Sequence, residues 1–184
     1  FGAAGQRCMS LSVVVVVGDY IADHVVAKLR EDLQDIRIGN GNKENIDMGP
    51  IQNAQHQQKI VDMIENGVAA GARLVVDGRD FAIVKKSKGF FLGPSLFDYV
   101  TTDMDIYQQE IFGPVLCIVR AADLDTAIKI INDHPYGNGA AIYTQSGAAA
   151  YKFTSSVQAG MVGVNVSIPV PMAFYSFGGW KQSL

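Results

Sequence analysis

Cysteine is scarce in this chain: Cys8 and Cys117 are the two in 184 residues, and they lie far apart. So low a count excludes a secreted scaffold stapled by disulfides and fits a reducing compartment. Histidine is nearly as sparse. His24, His56 and His134 stand alone, none at metal-ligand spacing from a cysteine or carboxylate, so no metal is expected and surface or capping roles are. Long apolar runs are also missing: the longest, Leu11 to Val17, contains Ser12 and reads as core. It falls far short of the roughly 20 residues that cross a bilayer, so no membrane partner is expected. Nor is there an excess of positive charge. A net charge of −3 supplies no basic face for nucleic acid or an anionic membrane.

What is present is a chain with 48% hydrophobic and 18% charged residues, enough to bury the core of one domain. Asp19 to Asp35 predicts an amphipathic helix, with Ile21, Val25, Val26, Leu29 and Leu33 three or four apart and Gly39 beyond its end. Gly39 to Gln58, rich in Asn, Gln and Gly, reads as a surface connection to a helix around Ile60 to Ala70. Short strands are expected at Leu74 to Val76 and around Phe91 to Phe97, with a solvated Lys85-Lys86-Ser87-Lys88-Gly89 turn between them. The second half is more regular: strand Val115 to Arg120, a helix capped by Asp123 and running to Asp133, strand Gly139 to Tyr143, helix Ala148 to Val157, strand Met161 to Val166. This β-α-β-α-β order predicts an α/β fold with neighbouring parallel strands. The segment Ile168-Pro-Val-Pro171, then Met172 to Trp180, has the chemistry of an exposed aromatic loop beyond a strand end, a natural binding surface.

The chemistry concentrates at Gly5-Gln6-Arg7-Cys8. Glycine lets the backbone turn sharply and approach a ligand, and an arginine beside a sulfur favours the thiolate, the nucleophilic form. Cys8 therefore reads as a presented catalytic thiol, whereas Cys117, inside Val-Leu-Cys-Ile-Val, reads as a small buried hydrophobe.

Together with Glu110-Ile-Phe112-Gly113-Pro114, Gly160-Met-Val-Gly-Val-Asn165 and Phe177-Gly178-Gly179-Trp-Lys181, the Cys8 run resembles the NAD-dependent aldehyde dehydrogenases, in the same order and separation, over the whole chain. Four segments resemble more narrowly the CoA-acylating methylmalonate-semialdehyde dehydrogenase branch: Phe1-Gly-Ala-Ala-Gly-Gln-Arg-Cys8, Asn45-Ile-Asp-Met-Gly-Pro50, Pro135-Tyr-Gly-Asn-Gly139 and Val164-Asn-Val-Ser-Ile-Pro-Val-Pro171. The resemblance implies the aldehyde dehydrogenase fold, a mostly parallel sheet with flanking helices, with residues 1–184 forming a single thiol-bearing catalytic domain. It places a dinucleotide-binding domain, a general-base Glu and an oxyanion Asn upstream and an oligomerisation segment downstream. On that expectation the isolated piece is inactive. It also implies NAD as cofactor, CoA as acyl acceptor, and a homo-oligomer, tetramer or dimer. The location implied is the mitochondrial matrix in a eukaryote and otherwise the cytoplasm.

Residue by residue, the resemblance makes Cys8 the nucleophile that forms a thiohemiacetal and then a thioester. Glu110 would hydrogen-bond the nicotinamide ribose, and Phe112 would pack beside the nicotinamide ring. Arg7, a planar guanidinium able to bind a carboxylate bidentately, suits a semialdehyde substrate that also carries an acid; it could instead pair with a neighbouring acid or tune the thiol. Phe174 and Phe177, with the Pro169/Pro171 loop, would wall a substrate tunnel or serve as ordinary packing. The reaction implied is oxidation of methylmalonate or malonate semialdehyde with decarboxylation and acyl transfer to CoA. Its rivals are a dehydrogenase that releases free acid, a cysteine hydrolase with a histidine base, and an assembly module in which Cys8 is a bystander.

Overall fold

The computed structural model describes residues 2–167 and 170–183, Lys86 through its main chain only. It divides into two compact units, Phe1–Arg120 and Ala121–Leu184. Phe1, at the head of the thiol motif, and Pro169, expected to shape the substrate loop, lie outside the described residues.

In the first unit the valine run forms β1 (Val13–Val17), followed by α1 (Asp19–Gln34), α2 (Ala54–Ala69), β2 (Arg73–Val76), the short α3 (Ala82–Lys86), β3 (Ser95–Asp98), the single-turn α4 (Asp105–Gln108) and β4 (Val115–Ala121). Four strands make one sheet in the order β1-β4-β3-β2, with β3 and β4 parallel and β2 antiparallel to β3. The side-chain period of two explains how both faces are filled. Leu96 on β3 and Leu116 and Ile118 on β4 join Val16, Ala22, Val26 and Leu33 in one core cluster, so α1 covers that face. The alternate residues serve the other face: Phe97 and Ile106 lie where a Cβ on Gly67 of α2 would be, and Cys117 Sγ contacts Ile106 O at 3.5 Å.

Arg120 fastens the start of α1 to the sheet. Its guanidinium donates to the fully buried Asp98 at 2.8 Å, to Asp23 at 2.7 Å and to Asp19 at 3.2 Å, and lies 4.1 Å over the Tyr99 ring. A carboxylate that far from water persists only with such a partner.

The second unit holds α5 (Leu124–Asp133), β5 (Tyr136–Gly137), β6 (Gly139–Ile142), α6 (Gly147–Ser156), β7 (Met161–Val164) and β8 (Trp180–Lys181). Asp123 caps α5, accepting from Thr126 N at 2.7 Å, and Ser146 caps α6 in the same way. Ile128, Phe153 and Val157 form its core, and β6 and β7 pair in parallel as the helical crossover predicts. Two glycine motifs meet in the antiparallel β5–β8 pair, and Lys181 reaches back to donate to the carbonyls of Ile131 and Asn132 at the end of α5.

Four expectations change. The valine run is a half-buried strand: Val16 is buried while Leu11 and Val17 are exposed. Helix α2 begins at Ala54, six positions before its buried face starts at Ile60, because Asn53 caps it by accepting from His56 N at 2.8 Å. The strand expected around Phe91 begins only at Ser95, beyond Pro94, which has no N–H for a ladder. Finally, β4 takes β1 and β3 as its neighbours. The α/β class, with mixed pairing in its sheets, stands.

Candidate active site

The thiol loop opens with a left-handed turn. Ala3 (φ 53°), Ala4 (φ 54°) and Gly5 (φ 70°) all occupy the αL region. For an alanine that costs roughly 1–2 kcal/mol per residue, so something must hold the turn. The side chain of Gln6 contributes with both ends of its amide. Nε2 donates to Ala3 O and to Pro50 O at 3.2 Å each, while Oε1 accepts from Gln52 N at 2.9 Å. Ile51, between those two residues, is itself tied to Phe90 O at 2.7 Å. A further turn, Ser10 N to Arg7 O at 3.0 Å, carries Arg7 and Cys8, both exposed.

The second motif meets this loop backbone to backbone. A Cβ on Gly5 would lie 2.0 Å from Gly113 O, so no other residue fits there with the two segments in place. Only glycine tolerates both the contact and the positive φ. Gly113 in turn lies against Ile60 of α2. Preceding it, Phe112 is 38% exposed and adopts φ 57°, a third strained residue after Ala3 and Ala4. Its carbonyl is bonded to His56 Nε2 at 2.7 Å.

These contacts gather Arg7, Cys8, Glu110 and Phe112 around one small pocket of about 30 Å³, closed by Gly5, Leu11 and Ile111. That volume holds about one or two waters, the scale of a reacting carbonyl group rather than of a whole cofactor. Four of the six residues singled out from sequence are therefore brought together. Phe174 and Phe177 belong to the second unit, where they are 79% and 54% exposed and Phe174 stacks on Tyr175 with ring centroids 5.2 Å apart. Cys117 follows the opposite course from Cys8: burial in β4 pushes its thiol up to about 12, which leaves it protonated and inert at neutral pH.

Two contributors carry no obvious signal in sequence. Gln6 stands inside the thiol motif, but its partners are main-chain atoms 44 and 46 positions away. His56 is three residues after Asn53, a spacing that marks a helix cap and gives no hint of its contact with Phe112. His24 and His134 bond to nearby backbone, at Tyr20 O and Tyr136 N. Among the described residues no group of three or more His, Cys, Asp or Glu is placed to hold a metal ion.

Comparison with known proteins gives the family. The sequence pattern described as the aldehyde dehydrogenase family matches residues 1–184. The chain is 53% identical over 184 residues to a malonate-semialdehyde dehydrogenase from Pseudomonas aeruginosa, covering 100% of this chain and 37% of that protein. It is similar to a solved structure described as a methylmalonate-semialdehyde dehydrogenase from Sinorhizobium meliloti complexed with NAD: TM-score 0.96, 51% identity, 99% of this chain and 37% of that one. A betaine aldehyde dehydrogenase from Staphylococcus aureus in complex with NAD+ superposes with a TM-score of 0.90 at 30% identity, over 98% of this chain and 35% of that one. The chain thus spans little more than a third of the length of these relatives.

Proposed function

The chain belongs to the aldehyde dehydrogenase family, and from that premise we propose that it supplies the nucleophile and part of the nicotinamide contact of an NAD-dependent enzyme that oxidises malonate or methylmalonate semialdehyde. The observation that carries the reading is the main-chain contact of Gly5 with Gly113, by which the exposed Cys8 shares a pocket with Glu110 and Phe112.

In this reading the Cys8 thiolate adds to the aldehyde carbon, and a backbone N–H of the loop stabilises the oxyanion of the resulting thiohemiacetal. The sulfur holds the same carbon as a thioester after oxidation. Glu110 and Phe112 suit a nucleotide: an exposed carboxylate can accept from ribose hydroxyls and an exposed ring can lie along a nicotinamide face. When bound, NAD supplies the hydride acceptor, and CoA supplies the thiol that takes the acyl group. Arg7 holds the substrate's carboxylate through paired N–H donors. A carboxylate β to the thioester carbonyl can leave as carbon dioxide, the C–C electron pair passing to the α carbon, which is then protonated. The products are acetyl-CoA from the malonate compound and propionyl-CoA from its methyl homologue.

The substrates named for the relatives support this choice, and their bacterial sources support a cytoplasmic setting. Phe174 and Phe177 as apolar substrate contacts, and a homo-oligomer, rest on the resemblance. The test is an assay of the whole gene product with NAD and either semialdehyde, with and without CoA, followed by analysis of products. CoA-dependent formation of acyl-CoA that is lost in Cys8→Ala supports the reading. Release of free acid regardless of CoA would replace acyl transfer with hydrolysis, and turnover that survives Cys8→Ala would overturn the mechanism.

A further inference from the structure

We infer that His56 is a positioning residue for the reaction, holding Phe112 in the conformation that the nicotinamide pocket needs; this rests on the function proposed above. Phe112 has φ 57°, a conformation that a phenylalanine does not keep unaided. Its carbonyl receives one hydrogen bond from a distant side chain, His56 Nε2 at 2.7 Å, and the two rings lie tilted at 56° with centroids 6.4 Å apart. A carbonyl only accepts, which assigns the proton to Nε2. The bond is therefore available whether or not Nδ1 is also protonated.

His56 is well placed for this work. It sits in the first turn of α2, its own N–H engaged by the Asn53 cap at 2.8 Å, so the backbone from which the imidazole projects is fixed. One helical turn further along, Ile60 packs where a Cβ on Gly113 would be. Positions 56 and 60 lie on the same helix face. That face therefore holds two consecutive residues of the Glu110–Pro114 motif, one by a hydrogen bond and one by close packing, and Gly113 carries the constraint on to Gly5 and the thiol loop.

His56→Ala removes the donor, and His56→Gln returns an N–H near the position of Nε2. In the whole gene product the two variants are compared by hydrogen exchange at Val115, whose amide bonds to Gly113 O at 2.8 Å, and by steady-state kinetics with NAD. The inference expects exchange there to quicken about fivefold in His56→Ala, the effect of losing one hydrogen bond. Protection in the rest of β4 and in the rest of α2 should be unchanged. It expects kcat to fall on the order of tenfold, with a smaller change in KM for NAD, because a misplaced ring spoils orientation more than binding. His56→Gln should restore both. Unchanged exchange at Val115 in His56→Ala would overturn the inference whatever the kinetics. Faster exchange with unaltered kcat would also overturn it, since the hold on Phe112 would then not serve the reaction. A wild-type protein that fails to reduce NAD with any semialdehyde would refute the proposed function, and the exchange data would still judge the hold separately.

Discussion

Replacing Gln6 tests whether one amide keeps the thiol loop in its strained shape. The side chain makes three hydrogen bonds, to Ala3 O, Pro50 O and Gln52 N, all near the surface. At the low end expected for exposed bonds, about 0.5 kcal/mol each, Gln6→Ala forfeits about 1.5 kcal/mol. Opposing them are two alanines in the αL region, whose release on opening returns roughly 2–4 kcal/mol together. The strain exceeds the three bonds together, so the Gly5–Gly113 contact shares the hold, and without Gln6 the loop should open locally while the sheet stays folded. A shift of that size raises the open population on the order of tenfold. Trypsin reads it directly, because Arg7 is a cleavage site and, when opening is fast, cutting tracks the open fraction. Gln6→Ala should accelerate cleavage after Arg7 about tenfold, with sites in the sheet unaffected. In Gln6→Glu one oxygen still accepts from Gln52 N, but the other faces two carbonyl oxygens. Those oxygens favour the protonated acid in the closed loop and so raise its pKa. The defect should be full at neutral pH and fade as pH falls through that raised value toward about 4. Cleavage within twofold of wild type in Gln6→Ala would refute the reasoning.

Three other outcomes are expected. Iodoacetamide at pH 8 should label Cys8 and spare Cys117, whose thiol is pushed up to about 12 by burial, and equal labelling by mass spectrometry would contradict the placement of β4. Arg7→Ala in the whole gene product should lower kcat/KM for a carboxylated semialdehyde by about 2 kcal/mol, some thirtyfold, with little effect on an uncharged aldehyde of similar size; equal losses would remove the carboxylate role. Asp47 accepts from the Arg37 guanidinium and main chain, which holds its carboxyl down to about 2, so the tie between α1 and the Asn40–Pro50 loop should persist above its ordinary value and fail as pH falls from 3.8 to about 2. Protection of the Gly39 amide, which bonds to Met48 O, followed through that range by NMR, checks it; loss already above pH 4 would count against the pairing.

Much of the fold was legible because it obeys local rules. The apolar period of α1 and the cap at Asp123 are written within a few residues, and the parallel β6–β7 pair follows from the helical crossover between its strands. Even so, the α1 face is rotated slightly: Ile21 is exposed and Ala22 is fully buried, a difference that an alanine's small apolar surface does not announce. The first turn of α2 was missed because Gln55, His56, Gln57, Gln58 and Lys59 are polar, although Asn53 carried a cap signal. The pairing of Tyr136–Gly137 with Trp180–Lys181 joins segments more than 40 positions apart and leaves no local trace. The same division holds at the site. Cys8 and the Glu110–Phe112 pair announce themselves by residue type, whereas Gln6 and His56 act on backbone atoms, and a carbonyl has no letter in the sequence.

The contact between Gly5 and Gly113 constrains how this chain can be re-engineered. Where two side chains meet, a change of one methylene shifts the spacing and a library can sample the result. Here main chain meets main chain: a Cβ on Gly5 falls on the Gly113 carbonyl, a Cβ on Gly113 falls on the Ile60 side chain, and the separation of the thiol loop from the Glu110–Pro114 motif has no adjustable increment. Under the proposed function, directed evolution toward new aldehydes should therefore accumulate its substitutions at Arg7, Leu11 and other lining side chains while position 5 returns unchanged.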